Sequence, residues 1–328
     1  MRSSTYISSS MSVTKISTDN LKSYSSLLSD FSFFQSDSHK GENGRVLVIG
    51  GSSLFHSASL WSAEVASRLV DIVHYSSTIE NATIFQSLKI KFQNGIVVQR
   101  EKLMEYVRED DAILIGPGMI RSESIEKNTE LSQEVDDFSQ LISLGNSDEG
   151  RYTRELTRYL LSHASDKRFV IDAGALQMMD PVWLTMLKVP PIITPHQGEF
   201  FVLFGVDVRS KSLDEKVVIV EEKAKKYRCV IVLKGENDII TNGKETYVVS
   251  GGNAGLTKGG TGDVLAGLIV GLYAKQNPII SAVLASIIIK KTADSFMRTK
   301  GMWYNLTEIM GAIPDIMQEV LSNHLDTL

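Results

Sequence analysis

The chain carries a single cysteine, Cys229, so no disulfide can form within it and a fold that depends on oxidative staples is excluded. It also lacks a basic surplus. With 34 Lys and Arg against 39 Asp and Glu in 328 residues the formal charge is -5, and no stripe of cations offers a nucleic-acid footprint. Lys290-Lys291 and the group Lys223, Lys225, Lys226 read as solvated helix faces. No apolar run reaches the roughly 18 residues a membrane helix needs. The nearest, residues 279–289, is interrupted by Ser281 and Ser286. Two phosphate signatures are missing as well. There is no GxxxxGK[ST], and Gly50-Gly51-Ser52 lacks the third glycine and the distal acid of a dinucleotide fingerprint, so the P-loop and GxGxxG readings both fail. The expectation is a cytoplasmic protein that binds neither nucleic acid nor membrane.

What is present is a large apolar fraction, 43%, enough for a substantial core. Residues 1–40 stand apart, with fourteen serines and no sustained period of 2 or 3.6, and read as a poorly ordered arm. From Arg45 onward the pattern becomes strand, turn, helix. Val46-Leu47-Val48-Ile49 runs into Gly50-Gly51-Ser52, Ile113-Leu114-Ile115 into Gly116-Pro117-Gly118, Val170-Ile171 into Asp172-Ala173-Gly174, and Ile192-Ile193 into Thr194-Pro195-His196. Continuous apolar strands separated by helices predict an α/β fold with a mostly parallel sheet covered on both faces, and such sheets bind ligands at the carboxyl ends of their strands. Residues 145–150 read as a loop between two helices, and Asn242-Gly243 as a hairpin turn between strands at 238–241 and 247–250. No compositional break follows residue 40, so residues 41–328 read as one domain.

The richest local signal is Asn253-Ala254-Gly255-Leu256-Thr257-Lys258-Gly259-Gly260-Thr261-Gly262-Asp263, followed directly by the apolar residues Val264, Leu265, Leu268 and Ile269. Glycines that permit close backbone approach, set before a helix, form a cradle for an anion on the helix's free amides. Asp263 at that spot is either a helix cap or a base aimed at whatever the cradle holds. Gly116-Pro117-Gly118 is a tight turn or part of the same site, and Glu199 a first-turn acid or a site residue. His196 and Lys234-Gly235 stand at two further strand ends.

In this order, Val46 to Ser52, Ile115 to Gly118, Val170 to Leu176, Thr194-Pro195-His196-Gln197-Gly198-Glu199, Val232 to Gly235 and residues 253–267 resemble the ADP- or ATP-dependent NAD(P)H-hydrate dehydratases. The resemblance covers about residues 41–320. It implies a ribokinase-like three-layer sandwich and a repair reaction in which the nucleotide's terminal phosphoryl activates the hydroxyl of NAD(P)H hydrate for elimination, with Mg²⁺ on the phosphates. It also implies roles: Asp263 as base, Ala58, Gly118, His196 and Asp263 as substrate contacts, and Lys234, Gly235, Gly260, Thr261 and Gly262 around the nucleotide. Thr261 points to ADP, because ATP-using eukaryotic members resemble this stretch with Gln there. A homo-oligomer, a tetramer by resemblance, and a separate epimerase as working partner are expected too. The metal ligands stay unassigned.

The chain departs from the family pattern at Ser57 and Ser59 around Ala58, at Gly174 where an acid is usual, at Gln197, and at Ala254, Leu256 and Thr257. Gly174 bears on phosphate and metal handling. Two rival readings stay open: a kinase of the same fold acting on a vitamin precursor, and a nucleotide-binding sensor without catalysis.

Overall fold

Apolar runs flanked by turns assemble here because each strand finds a hydrophobic layer on both sides. The computed structural model describes residues 13–20, 24–90, 93–121 and 134–325. The strands are β1 (Val13–Ser17), β2 (Arg45–Ile49), β3 (Ile72–Ser76), β4 (Gly95–Val97), β5 (Ala112–Ile115), β6 (Arg168–Ile171), β7 (Ile192–Ile193), β8 (Val230–Leu233), β9 (Asp238–Thr241) and β10 (Thr246–Ser250). They form one ten-stranded sheet in the order β1-β10-β9-β8-β7-β6-β5-β2-β3-β4. Only β9 runs against the rest, paired antiparallel with β8 and β10 through the expected Asn242-Gly243 turn.

The helices are α1 (Ser25–Leu28), α2 (Ser57–Ala66), α3 (Ile79–Ser87), α4 (Leu103–Glu109), α5 (Phe138–Leu144), α6 (Glu149–His163), α7 (Ala173–Met178), α8 (Gln197–Phe204), α9 (Leu213–Tyr227), α10 (Thr261–Tyr273), α11 (Pro278–Lys300) and α12 (Leu306–Leu325). Alternate strand residues divide between two cores. Val46, Val48, Leu114, Val170 and Val232 pack with α2, α10, α11 and α12. Leu47, Ile49, Ile113, Ile171 and Ile231 pack with α4, α6, α7, α8 and α9. The result is a three-layer sandwich, helices on both faces of a mostly parallel sheet. Among the described residues no helix is long and apolar enough to cross a membrane.

Helix α10 is apolar all round and buried from Val264 to Tyr273, as a helix wedged between other elements must be. It lies close against α2 and the turn after it, where a Cβ on Gly267 would meet the Ser62 carbonyl oxygen at 2.5 Å and one on Gly271 would meet Leu69 Cδ1 at 2.7 Å. The Ser62 hydroxyl donates to the Asp263 carbonyl at 2.8 Å, which fixes the first turn of α10 along the helix axis.

The reading of residues 1–40 as a poorly ordered arm does not hold for the part described. Strand β1 pairs parallel with β10, so the sheet crosses the boundary expected at residue 40. Ile16, Tyr24, Leu27 and Leu28 are buried. A composition averaged over forty serine-rich residues concealed a five-residue strand and a few anchoring side chains, which suffice because the β10 edge supplies the hydrogen-bonding partner. Lys290 also departs from expectation. It is 4% exposed rather than solvated, because its ammonium is consumed by carbonyl oxygens beneath the sheet edge.

Truncating Leu28, 2% exposed on α1 beside α12, is expected to destabilise by about 2–4 kcal/mol, the usual range for a buried Leu→Ala change. The neighbouring exposed Phe34→Ala should stay within about 0.5 kcal/mol of wild type. Chemical denaturation of both variants checks whether the segment is docked; equal, negligible effects would mean that it is not.

Candidate functional site

The backbone ladder continues one step past several strands, and those steps bring the polar turns together. Gly116 N–H donates to the Ile49 carbonyl at 3.1 Å, Asp172 N–H to Ile115 at 3.0 Å, Thr194 N–H to Ile171 at 3.2 Å and Lys234 N–H to Pro195 at 2.9 Å. Asp172, Thr194 and Lys234 therefore stand in a row at the carboxyl ends of β6, β7 and β8. The spacing here is tight. A Cβ on Gly116, whose φ is +121°, would fall 1.8 Å from the Asp172 carbonyl oxygen. Ala173, next to Asp172, has φ 45°, a left-handed conformation unusual for alanine and of the kind that gathers at functional sites.

Asp263 enters from α10. Its helix is led in by Gly260 at φ 94°, where a side chain would strike Trp61 and Leu306 at 2.3 Å. No side chain caps α10, so Asp263 is not its cap, and the first-turn amides of Gly262 and Asp263 are the ones a helix leaves without an internal acceptor. Thr261 Oγ1 donates to the Lys258 carbonyl at 2.9 Å and closes the turn. Further back, Asn253 Oδ1 accepts from the Gly255 amide and from the Tyr304 hydroxyl, while its Nδ2 donates to Ala293. The cradle is thus held from several sides before its ligand-facing amides are reached.

Around Lys234 the carboxylates converge. Its Nζ lies 3.0 Å from Asp172 Oδ1 and 3.7 Å from Glu199 Oε2. Thr194 Oγ1 donates to the same Asp172 oxygen at 2.7 Å. Burial pulls the lysine's pKa down, but the charges of Asp172, Glu199 and Asp263 outweigh it and hold the pKa above its ordinary value. For Asp263 burial and the negative charge of Asp172 act together. They push its carboxyl up to about 7 against the opposing pull of Lys234. A carboxylate poised there holds and releases a proton near neutrality, as a general base must.

The other expected residues fall on the same edge. Gly51 N–H donates to the Pro117 carbonyl at 2.7 Å, and a Cβ on Gly118 would sit 3.0 Å from the Ala58 Cβ, so Ala58 and Gly118 line one wall. His196 is the N-cap of α8 in a capping box with Glu199. Its Nδ1 accepts from the amides of Gly198 and Glu199 at 3.0 and 3.1 Å. The hydrogen of a neutral ring then resides on Nε2, and the ring is 58% exposed. Gly235 N–H is engaged by Asp238 Oδ1 at 2.9 Å.

Lys234 and His196 are bridge partners on adjacent strand ends. Sequence reasoning left Glu199 between two readings, and it holds both positions at once, as first-turn acid of α8 and as neighbour of Lys234. Asp172 was missed as a site residue, and Lys290 as a buried anchor of the turn after β8. A carboxylate at a strand's carboxyl end was the available signal for Asp172. For Lys290, buried inside a long helix, no local signal existed. Among the described residues no three His, Cys, Asp or Glu side chains converge as a metal cage.

The profile of a family described as NAD(P)H-hydrate dehydratase matches residues 46–315. The ADP-dependent (S)-NAD(P)H-hydrate dehydratase of Nitrosopumilus maritimus is 32% identical over 87% of this chain and 92% of its own length. A ribokinase-like superfamily protein from Enterococcus faecalis superposes with a TM-score of 0.71 at 24% identity, over 94% of this chain and 96% of that one. The ADP/ATP-dependent NAD(P)H-hydrate dehydratase of Bacillus subtilis, co-crystallised with ATP and Mg²⁺, follows at 0.67 and 22%, over 91% and 96%. The sandwich is the ribokinase-like fold.

A carboxyl whose folded pKa is raised binds a proton that the unfolded chain has already released, so Asp263 lowers stability as pH rises from about 4 toward its folded value near 7. Asp263→Asn is therefore expected to stabilise the fold at pH 8, by on the order of 1–2 kcal/mol for a partly exposed group, and to have little effect at pH 4. Thermal melts at the two pH values check the sign.

Proposed function

Since the chain belongs to the NAD(P)H-hydrate dehydratase family, we propose that it restores the S-epimer of NAD(P)H hydrate to NAD(P)H at the expense of ADP, with Asp263 as its base. The observation that carries this reading is the Asp263 carboxyl, raised to about 7 beside the uncapped first turn of α10. Hydroxide is a poor leaving group; phosphate is a good one. Asp263 takes the proton of the C6 hydroxyl while that oxygen attacks the terminal phosphorus of ADP and AMP departs. The C6–O bond then breaks, phosphate leaves with its electron pair, and loss of the C5 proton forms the ring double bond.

The Gly262 and Asp263 amides supply donors for the charge on the transferred group, a role that preorganised backbone amides fill well. Gly260 and Thr261 shape that turn, and the small side of Thr261 together with the ADP dependence of the Nitrosopumilus relative favours ADP. Lys234 and Gly235 attend the nucleotide. Ala58, Gly118 and the Nε2–H of His196 attend the hydrate. With three carboxylates already facing Lys234 and no cage among the described residues, Mg²⁺ fits as an ion carried mainly by the nucleotide's phosphates, where it neutralises their charge. A homo-oligomer, tetrameric by resemblance, a separate epimerase supplying the S-epimer, and a cytoplasmic location complete the proposal.

The test is recovery of the near-ultraviolet absorbance of reduced nicotinamide from purified hydrate with ADP, with ATP and with neither. A stable phosphorylated product would instead indicate a kinase, and nucleotide binding without turnover a sensor. Wild-type kcat/KM should rise with pH through an apparent pKa near 7, and Asp263→Asn should lose at least ~10² in rate. Activity retained above about a tenth of wild type would remove Asp263 from the role of base.

A second prediction separates the two neighbours. His196→Asn keeps a capping side chain, so it should raise KM for the hydrate and leave the acid limb where it is. Lys234→Met should weaken ADP and move the acid limb upward, because the positive charge that lowers Asp263 is gone. Titration of each variant with both ligands across pH decides; identical behaviour of the two variants would overturn the assignment.

A further inference from the structure

Lys290 carries four polar contacts from inside α11, and none of them is explained by packing alone. Its Nζ donates to the carbonyls of Gly235 at 3.2 Å, Glu236 at 2.9 Å and Gly251 at 3.5 Å, and lies 3.6 Å from Asp238 Oδ1. One turn earlier on the same face, Ser286 Oγ donates to Asp238 Oδ2 at 2.6 Å. Asp238 Oδ1 in turn receives the Gly235 amide. One turn later, the Ala293 carbonyl takes Asn253 Nδ2 at 2.7 Å, and Asp294 Oδ2 takes both the Gly252 amide at 2.9 Å and the Thr18 hydroxyl at 2.6 Å. Residues 286, 290, 293 and 294 share one stripe of a 3.6-residue helix. That stripe ties down the turn after β8, which follows directly on Lys234, and the loop after β10, which leads into the glycine cradle.

We infer that Lys290 is a positioning residue for the nucleotide: it sets the separation between the Gly235 turn and the Gly251-Gly252 loop, so that both meet one phosphate-bearing ligand in register. The inference rests on the proposal that these segments hold ADP. An ammonium suits the task better than an apolar side chain because it bonds three carbonyls from two loops at once, and Asp238 balances its charge in place. Displacement of either loop by an ångström is felt where ligand groups must be met at hydrogen-bond distance.

The experiment compares wild type, Lys290→Met, Lys290→Arg and the double variant Lys290→Met/Asp238→Asn by calorimetric titration with ADP and by steady-state kinetics. Lys290→Met should raise the Kd and KM for ADP at least tenfold while KM for the hydrate stays within twofold, and Lys290→Arg should recover most of the loss. If Lys290→Met alone fails to fold because Asp238 is left unpaired, the double variant carries the same comparison without a buried charge. Unchanged ADP affinity in either folded variant, or equal losses for ADP and hydrate, overturns the inference. Wild type that binds no ADP at all fails the functional proposal instead, and a loss of both ligands that tracks the melting temperature assigns Lys290 a purely structural role.

Discussion

The placement of one carboxylate in a buried, already negative neighbourhood is the constraint on which the rest of the architecture depends. Asp263 shares its surroundings with Asp172 and Glu199, and only Lys234 offsets them. Left to relax, such a group would turn toward water or move away. It is prevented from doing so by the helix that carries it. α10 is buried along its length, pressed onto α2 and the turn after it through Gly267 and Gly271, and pinned at Asp263 itself by Ser62. The cost of holding a strained electrostatic arrangement is offset by the hydrophobic burial of that helix, and the active edge is where the strain surfaces.

Lys234 has a different importance from that of a simple phosphate hook. Its ammonium is fixed by Asp172 and lies within reach of Glu199 before any ligand arrives. A cation already committed to two carboxylates tunes its neighbours as well as meeting a ligand. Glu199 links the two halves of the arrangement, since the carboxylate that faces Lys234 also closes the capping box that orients His196. The capping box that orients the exposed imidazole and the electrostatic surroundings of the Asp263 carboxyl therefore share Glu199.

Much of this was legible in the residues. Unbroken apolar strands ending in Gly or polar turns named both the layered architecture and the edge where the site lies, because a doubly covered parallel sheet leaves few other readings. The glycine cradle before an apolar helix was equally plain. What could not be read were contacts made across the fold. The neighbourhood of Asp172, Glu199, Lys234 and Asp263 draws on four separate elements, and its effect on Asp263 appears only when they meet. Lys290 read as a solvated residue because a lysine beside a lysine in a helix usually is. Ile16, Tyr24, Leu27 and Leu28 were masked by the serines around them, although β1 needs only the free edge of β10 and α1 the side of α12.

Gly174 shows how a departure from the family pattern is absorbed. At this position, where the pattern has an acid, a Cβ would lie 2.2 Å from the Met119 carbonyl oxygen and 3.1 Å from the Met119 Cβ. The turn after β5 lies against the start of α7, and a side chain at 174 would fit only with that turn further out. The same turn carries Gly118, where a Cβ would lie 3.0 Å from the Ala58 Cβ. Glycine at 174 also adds no carboxylate to the three whose charges act on Lys234. A fourth would raise the Asp263 pKa further and leave less of the base form at neutral pH. On this account the glycine is compatible with Asp263 acting as the base.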